Sequence, residues 1–227
     1  MEFHLLSFMK TVLFVLAALL PIMNPPGIAP IFHSLTISAS DATRNSLARR
    51  VAINAFILLM AGMFIGTHVL AFFGLSLPVV KVAGGLLVVA TAWKMLNTDE
   101  MPKMEAVPDS LWTHELASKK AFYPLAFPLT VGPGSISIAI TLGAGVHAPN
   151  TNVPLPLTMI AAIVGLALAA FAVYLSNRFA GLLIRLLGDT GTTVMLRMTS
   201  FILLCIGVQI LWDGVSGLLL LSQAQAH

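Results

Sequence analysis

The sequence predicts an all-α polytopic membrane protein, with six transmembrane spans arranged as two inverted three-span repeats. Three observations carry that reading. Of 227 residues, 58% are hydrophobic and 9% charged, against about 25% charged in soluble domains. Six apolar windows are each long enough to cross a hydrocarbon core of about 30 Å. A proline-glycine interruption also occurs twice inside those windows, as Pro21-Ile-Met-Asn24-Pro25-Pro26-Gly27 and as Pro128-Leu-Thr-Val-Gly132-Pro133-Gly134-Ser135. At an offset of 107 residues Pro21, Pro26 and Gly27 coincide with Pro128, Pro133 and Gly134.

The first span is expected over Thr11–Leu35, with residues 1–10 at the interface. Lys10 before an apolar run looks like a signal peptide, but no small-residue cleavage site follows, so a retained span is expected. Span two runs over Val51–Phe73. Its Gly62 and Gly66 form a small-xxx-small pair suited to close helix contact, inside the chain or between copies. Span three, Leu77–Leu96, carries Lys81 and the pair Gly84, Gly85 near its start. The polar stretch Asn97–Lys120 reads as a cytoplasmic linker between a first repeat (1–96) and a second (121–227), the whole forming one membrane domain. Span four, Ala121–Val146, holds the second interruption. Spans five and six follow at Leu155–Leu175 and Val194–Leu220.

The second repeat is also signalled where Lys81 meets Arg197 at an offset of 116, each followed by an apolar run. Ten of the twelve basic residues lie in the connections after spans one, three and five or, as Lys94 and Arg197 do, at the span ends that border them; Gly74–Ser76 and His147–Pro154 carry none. By the positive-inside rule those basic connections are cytoplasmic and both termini face outward. Three spans per half, an odd number, then orient the halves oppositely, the arrangement found in many alternating-access carriers. Pro26 lies 16 residues beyond Lys10 and Pro133 lies 13 beyond Lys120. At about 1.5 Å per helical residue, both breaks fall roughly 20–24 Å along the chain from an interface.

The breaks are where chemistry is expected. Proline deletes a backbone donor and glycine tolerates unusual dihedrals. Free backbone groups persist at membrane depth only when protein or a watery cavity surrounds them. Asn24, Pro25, Pro26 and Gly27 in the first break, and Thr130, Gly132, Pro133, Gly134 and Ser135 in the second, are therefore the candidate binding residues. Ser137 adds a hydroxyl. New helices starting near Ile28 and Ser135 offer N–H groups to a carboxylate, and carbonyls before each break suit an ammonium. Such a site holds a zwitterion without ionised side chains. The bland alternative is a pair of kinks satisfied by neighbouring helices.

Lys81, Gly84, Gly85, Arg197 and Gln209 are candidates for gating or packing. Lys81 and Arg197 either snorkel to the interface or contact substrate at a gate. Trp212 and Asp213 suit an interfacial anchor. Asn54, His68, Thr91 and Gln209 are expected to bond neighbouring helices. Cys205 is expected to be a small core residue, and with one cysteine no intrachain disulfide exists. Ser135 with His68 lacks any motif of a hydrolase. No metal-binding spacing, nucleotide signature or nucleic-acid motif appears, so no enzyme activity and no cofactor are expected.

At these motifs the chain closely resembles the MarC family of bacterial inner-membrane proteins, also grouped as six-span neutral amino-acid transporters. The resemblance rests on Asn24-Pro25-Pro26-Gly27-Ile-Ala-Pro30, Leu77-Pro78-Val-Val-Lys81-Val-Ala83-Gly84-Gly85, Phe127-Pro128-Leu-Thr-Val-Gly132-Pro133-Gly134-Ser135-Ile136, and Arg197 followed by Leu204-Cys205-Ile206-Gly207-Val208-Gln209. It extends from about residue 5 to 217. It implies a multi-pass plasma-membrane protein in the lipid bilayer that exports or exchanges small neutral amino acids. Members commonly carry arginine where this chain has Lys81, which disfavours a planar bidentate carboxylate contact there. A channel or carrier for another solute, an ion or drug-like compound, and a non-transporting scaffold are the other classes. Oligomeric state is left open by the sequence.

Overall fold

The computed structural model describes residues 2–97, 112–146 and 154–225, and every element among them is helical. The chain runs α1 (Glu2–Met23), α2 (Pro25–Leu35), α3 (Asp41–Phe72), α4 (Leu77–Asn97) and α5 (His114–Lys120). A proline segment, Ala121–Thr130, then leads to α6 (Pro133–Val146), α7 (Leu155–Arg178) and α8 (Ala180–Gln225), the last broken by a kink at Gly188 (φ 65). Most of the expected linker, 98–111, and the connection 147–153 lie outside the described residues.

Five helical stretches are long and apolar enough to cross a bilayer: Leu5–Met23, Asp41–Phe72, Leu77–Asn97, Leu155–Arg178 and Thr190–Gln223. A sixth crossing exists if Glu115–Thr130 and Pro133–Gly145, bent by 73° at their junction, count as one span. The first stretch differs from its expected form. Helix α1 starts at Glu2, inside the segment expected at the interface, and passes through Pro21 before ending at Met23. Helix α3 begins ten residues early because Ser40 caps it, its hydroxyl accepting from the Thr43 N–H at 3.3 Å, a standard cap for otherwise unpaired first-turn donors.

Each end of a break has a local cause. Asn24 adopts the left-handed conformation (φ 45, ψ 57), which asparagine tolerates better than most side chains. That residue stops α1 after its N–H reaches the Leu20 carbonyl at 2.9 Å. Pro25 and Pro26 then start α2 with φ already set. In the second break, Tyr123 and Phe127 are extended inside the proline segment, and the peptide bonds before Pro124 and Pro128 are cis. Wide turns close its end: Thr130 Oγ1 donates to the Leu125 carbonyl at 2.7 Å and the Val131 N–H to that of Ala126 at 2.8 Å.

The main core lies between α1, α2, α3, the proline segment, α6 and α7, around Leu19, Met23, Phe32, Leu59, Met63 and Leu166. Helix α3 packs on α6, α7 and the proline segment; α7 packs on α1, α2 and α3. Gly62 lies against Ala139 and Gly66 against Ile140, so this small-residue pair serves contact with α6 inside the chain. Arg50 of α3 donates to the Ser118 hydroxyl of α5, tying these two helices together.

Helices α4 and α8 form a separate antiparallel pair. Val89 faces Gly207, Gly85 faces Leu211, Val82 faces Gly214 and Pro78 faces Gly217. A Cβ on Gly85 would stand 2.6 Å from the Leu211 nitrogen, so the two backbones nearly touch, as small residues permit in membrane helices. The pair meets the rest of the protein through α6 and α2, and at smaller contacts through α1 and α7. Large apolar side chains such as Phe72, Trp93, Phe171, Phe201 and Leu220 are exposed, as lipid-facing surfaces require. Cys205 is exposed on α8 too. This corrects the expected core position, because the glycine-lined face of α8, not the cysteine face, turns to α4.

Candidate functional site

Both breaks open onto one cavity of about 350 Å³. Six of the nine candidate binding residues line it: Asn24, Thr130, Gly132, Pro133, Gly134 and Ser135. The walls are completed by Ile22 of α1, by Ile28, Ile31 and Leu35 of α2, and by Leu87, Val88, Thr91 and Met95 of α4. Pro124, Pro128, Leu129 and Leu203 close the rest. Among the described residues no charged side chain lines it.

Pro25 and Pro26 instead line a second cavity of about 390 Å³, with Leu20, Pro21, Ala172, Ser176, Thr199 and Ile202. Asn24 borders both cavities. Gly27 lines neither. Its missing side chain makes room for the Asn24 carboxamide, which a Cβ would overlap. Gly27 is thus the partner of the cap.

The two helix starts differ in what they offer. Helix α2 begins at Pro25, not near Ile28, and presents no free donor. Pro25 and Pro26 have no N–H, the Gly27 N–H donates to Asn24 Oδ1 at 3.2 Å, and Ile28 donates to the Asn24 carbonyl at 3.0 Å. Helix α6 begins with Pro133 after Gly132, which has no side chain to cap it, and its first backbone bond runs from Ile136 to the Gly132 carbonyl at 3.1 Å. The N–H groups of Gly134 and Ser135 therefore precede the first helical bond and sit at the cavity. They carry the partial positive charge of a helix start.

Complementary acceptors come from the end of α1. The carbonyls of Pro21 and Ile22 would bond the nitrogens of residues 25 and 26, which are prolines and cannot donate. Met23 loses its donor because Gly27 is engaged by Asn24. Asn24 itself is buried, and its Nδ2 has no partner. An unpaired buried amide of this kind costs about 1–3 kcal/mol, a cost that a polar occupant of the cavity would remove.

The gating and packing candidates Lys81, Gly84, Gly85, Arg197 and Gln209 line neither cavity. Gly84 abuts Ser137 of α6, and Ser137 Oγ donates to the Val80 carbonyl at 3.0 Å. Gly134 approaches Val88 so closely that any Cβ would overlap it. Lys81 is half-buried on α4, and Arg197 and Gln209 are exposed on α8. Gln209 Nε2 donates to Asp213 Oδ1 at 2.8 Å on its own helix, so it bonds no neighbouring helix. Thr91 likewise donates to the Leu87 carbonyl of its own helix at 2.8 Å, while lining the cavity. His68 is exposed on α3 whereas Ser135 is buried at the cavity, so the two form no dyad.

Sequence reasoning missed the α4 wall of Leu87, Val88 and Met95, and Leu203 opposite. No polar or proline signal marks them; only the rotation of α4 and α8 turns them inward. It also missed Asn177 on α7, 1% exposed with neither amide atom paired. A carboxamide one residue before a basic helix end was the available signal.

Spans of lipid-facing helix, joined to a charge-free cavity between two broken helices, define a multi-pass integral membrane protein. The description "MarC family integral membrane protein" matches residues 9–219. The chain belongs to that family. It is 31% identical to the inner membrane protein MarC of Escherichia coli O1:K1 / APEC over 93% of this chain and 96% of that protein. The proteins of the same name from Escherichia coli strain K12 and Shigella flexneri are each 30% identical over the same shares. No solved structure matches.

Proposed function

We propose that this protein is a multi-pass inner-membrane transporter that exports or exchanges neutral amino acids by alternating access, its two inverted three-span repeats sharing one central site. The observation that carries the reading is the meeting of both breaks on one charge-free cavity whose unused polar groups are mostly backbone. A zwitterion fits that inventory. Its carboxylate takes the Gly134 and Ser135 N–H groups and Asn24 Nδ2, and its ammonium takes the acceptor freed at Ile22, the residue at the end of α1 that lines this cavity.

The helix pairings support the repeat. Exchanging the halves turns α3 on α6 into α7 on α2, α3 on the proline segment into α7 on α1, and α4 on α6 into α8 on α2. The pair α4–α8 maps onto itself. Cavity residues pair in the same way: Ile22 with Leu129 and Ile28 with Ser135 at an offset of 107, Leu87 with Leu203 at 116. A site on such a pseudo-axis can be reached from either side as the repeats exchange conformations. The relatives' name places them in the inner membrane, and the basic connections put both termini outside the cytoplasm.

Counterflow in proteoliposomes tests the function. Vesicles of the purified full chain, preloaded with one neutral amino acid, should accumulate labelled amino acid transiently and saturably. A complete panel of neutral amino acids without saturable counterflow would overturn the proposal in favour of a scaffold or a carrier of another solute.

A further inference from the structure

We infer that the transported amino acid carries an apolar side chain of four heavy atoms, of the leucine, isoleucine or methionine kind, bound with its carboxylate at the start of α6. The inference rests on the transport reading above and narrows its substrate. Two independent observations locate the polar end. One is the uncapped start of α6, where Gly134 and Ser135 supply the N–H groups. The other is the buried Asn24, whose Nδ2 is without a partner beside the same cavity. Because α2 has no free donor, the carboxylate has a single polar end to choose.

Away from the breaks the cavity is apolar apart from Thr91, whose hydroxyl already donates to the Leu87 carbonyl. Along α2 the wall is Ile28, Ile31 and Leu35, a run of about 10 Å at 1.5 Å per residue, and Met95 and Leu203 face it from α4 and α8. The far part holds neither a counter-ion for a charged side chain nor a second set of unpaired amides. A cavity of about 350 Å³ has room for roughly a dozen waters at about 30 Å³ each. Alanine or glycine would leave most of that apolar space filled with poorly bonded water. A longer side chain displaces it, and one methylene in such a pocket discriminates by about tenfold or more.

The test is competition during counterflow in proteoliposomes of the full chain, with leucine, methionine, alanine, serine, lysine, leucinamide and 4-methylvalerate as unlabelled competitors. Leucine and methionine should half-saturate at concentrations at least about tenfold below alanine. Leucinamide, which lacks the carboxylate, should be at least about 100-fold weaker than leucine, and lysine should not compete. Leu35→Trp, which shortens the apolar end, should reduce the preference for leucine over alanine by about tenfold. Met95→Trp provides the same reading should the first variant not assemble. Exchange of alanine or serine without preference for leucine overturns this inference and leaves the transport reading standing. Absence of exchange for every amino acid overturns both, and equal competition by leucinamide refutes the carboxylate subsite.

Discussion

Replacing Gly85 with alanine tests whether α4 and α8 are held at backbone contact. The added Cβ would lie 2.6 Å from the Leu211 nitrogen and 2.9 Å from its Cα. Those are main-chain atoms of a helix and cannot rotate away. Ordinary contact begins near 3.4 Å, so the helices must separate locally by about 0.8 Å. Overpacking of this sort costs about 1–3 kcal/mol, and a protein of this size loses roughly 2–4 °C per kcal/mol. The melting temperature of the detergent-solubilised protein, followed by size-exclusion after heating, should fall by roughly 2–12 °C. Gly145→Ala is the control. Its Cβ would meet nothing within 4 Å, so stability should stay or rise by under about 1 kcal/mol. Counterflow should fall in the Gly85 variant as well, because Val88 and Thr91 on the displaced helix wall the cavity. An unchanged melting temperature for Gly85→Ala, or equal losses in both variants, would refute the packing argument.

Other substitutions separate cap, clasp and topology. Asn24→Gly keeps a residue suited to the left-handed conformation and deletes the carboxamide; surface expression should hold while counterflow drops at least tenfold, roughly the effect of one lost buried hydrogen bond. Arg44 clasps the α2–α3 connection, its Nη2 donating to the carbonyls of Thr36 and Ala39 at 3.2 Å each and its Nη1 to Asp41 at 3.0 Å. Arg44→Ala should therefore cost about 1.5–3 kcal/mol in detergent melting, and a neutral result would mean water replaces the clasp. Reporter fusions at the C-terminus should be active only outside the cytoplasm; activity of a cytoplasmic reporter there reverses the proposed orientation.

The two proline-glycine breaks were legible because they depend on the chemistry of a few adjacent residues, whereas the kink at Gly188 was not foreseen. Pro25, Pro26 and Pro133 lack donors wherever they sit, and Asn24 before them is suited to the reversal. Helix ends that depend on one cap were less visible. Ser40 extends α3 well before Val51, and nothing marked the continuous start of α1 at Glu2, since an apolar window locates a span and not the polar residues that prolong it.

Sequence alone determined that the chain is an apolar, helical membrane protein with two broken segments, because composition and missing backbone donors act locally and need no partner. Tertiary structure decided which groups share a space. It joined Asn24 to Ser135 across the two breaks, moved Pro25 and Pro26 to a second cavity, gave Gly27 to the Asn24 side chain, and turned Cys205 outward. It also left the start of α6, and not that of α2, with free donors at the cavity. These outcomes follow from how each helix is rotated about its axis and how closely its neighbours approach, quantities set by packing among residues far apart in the chain.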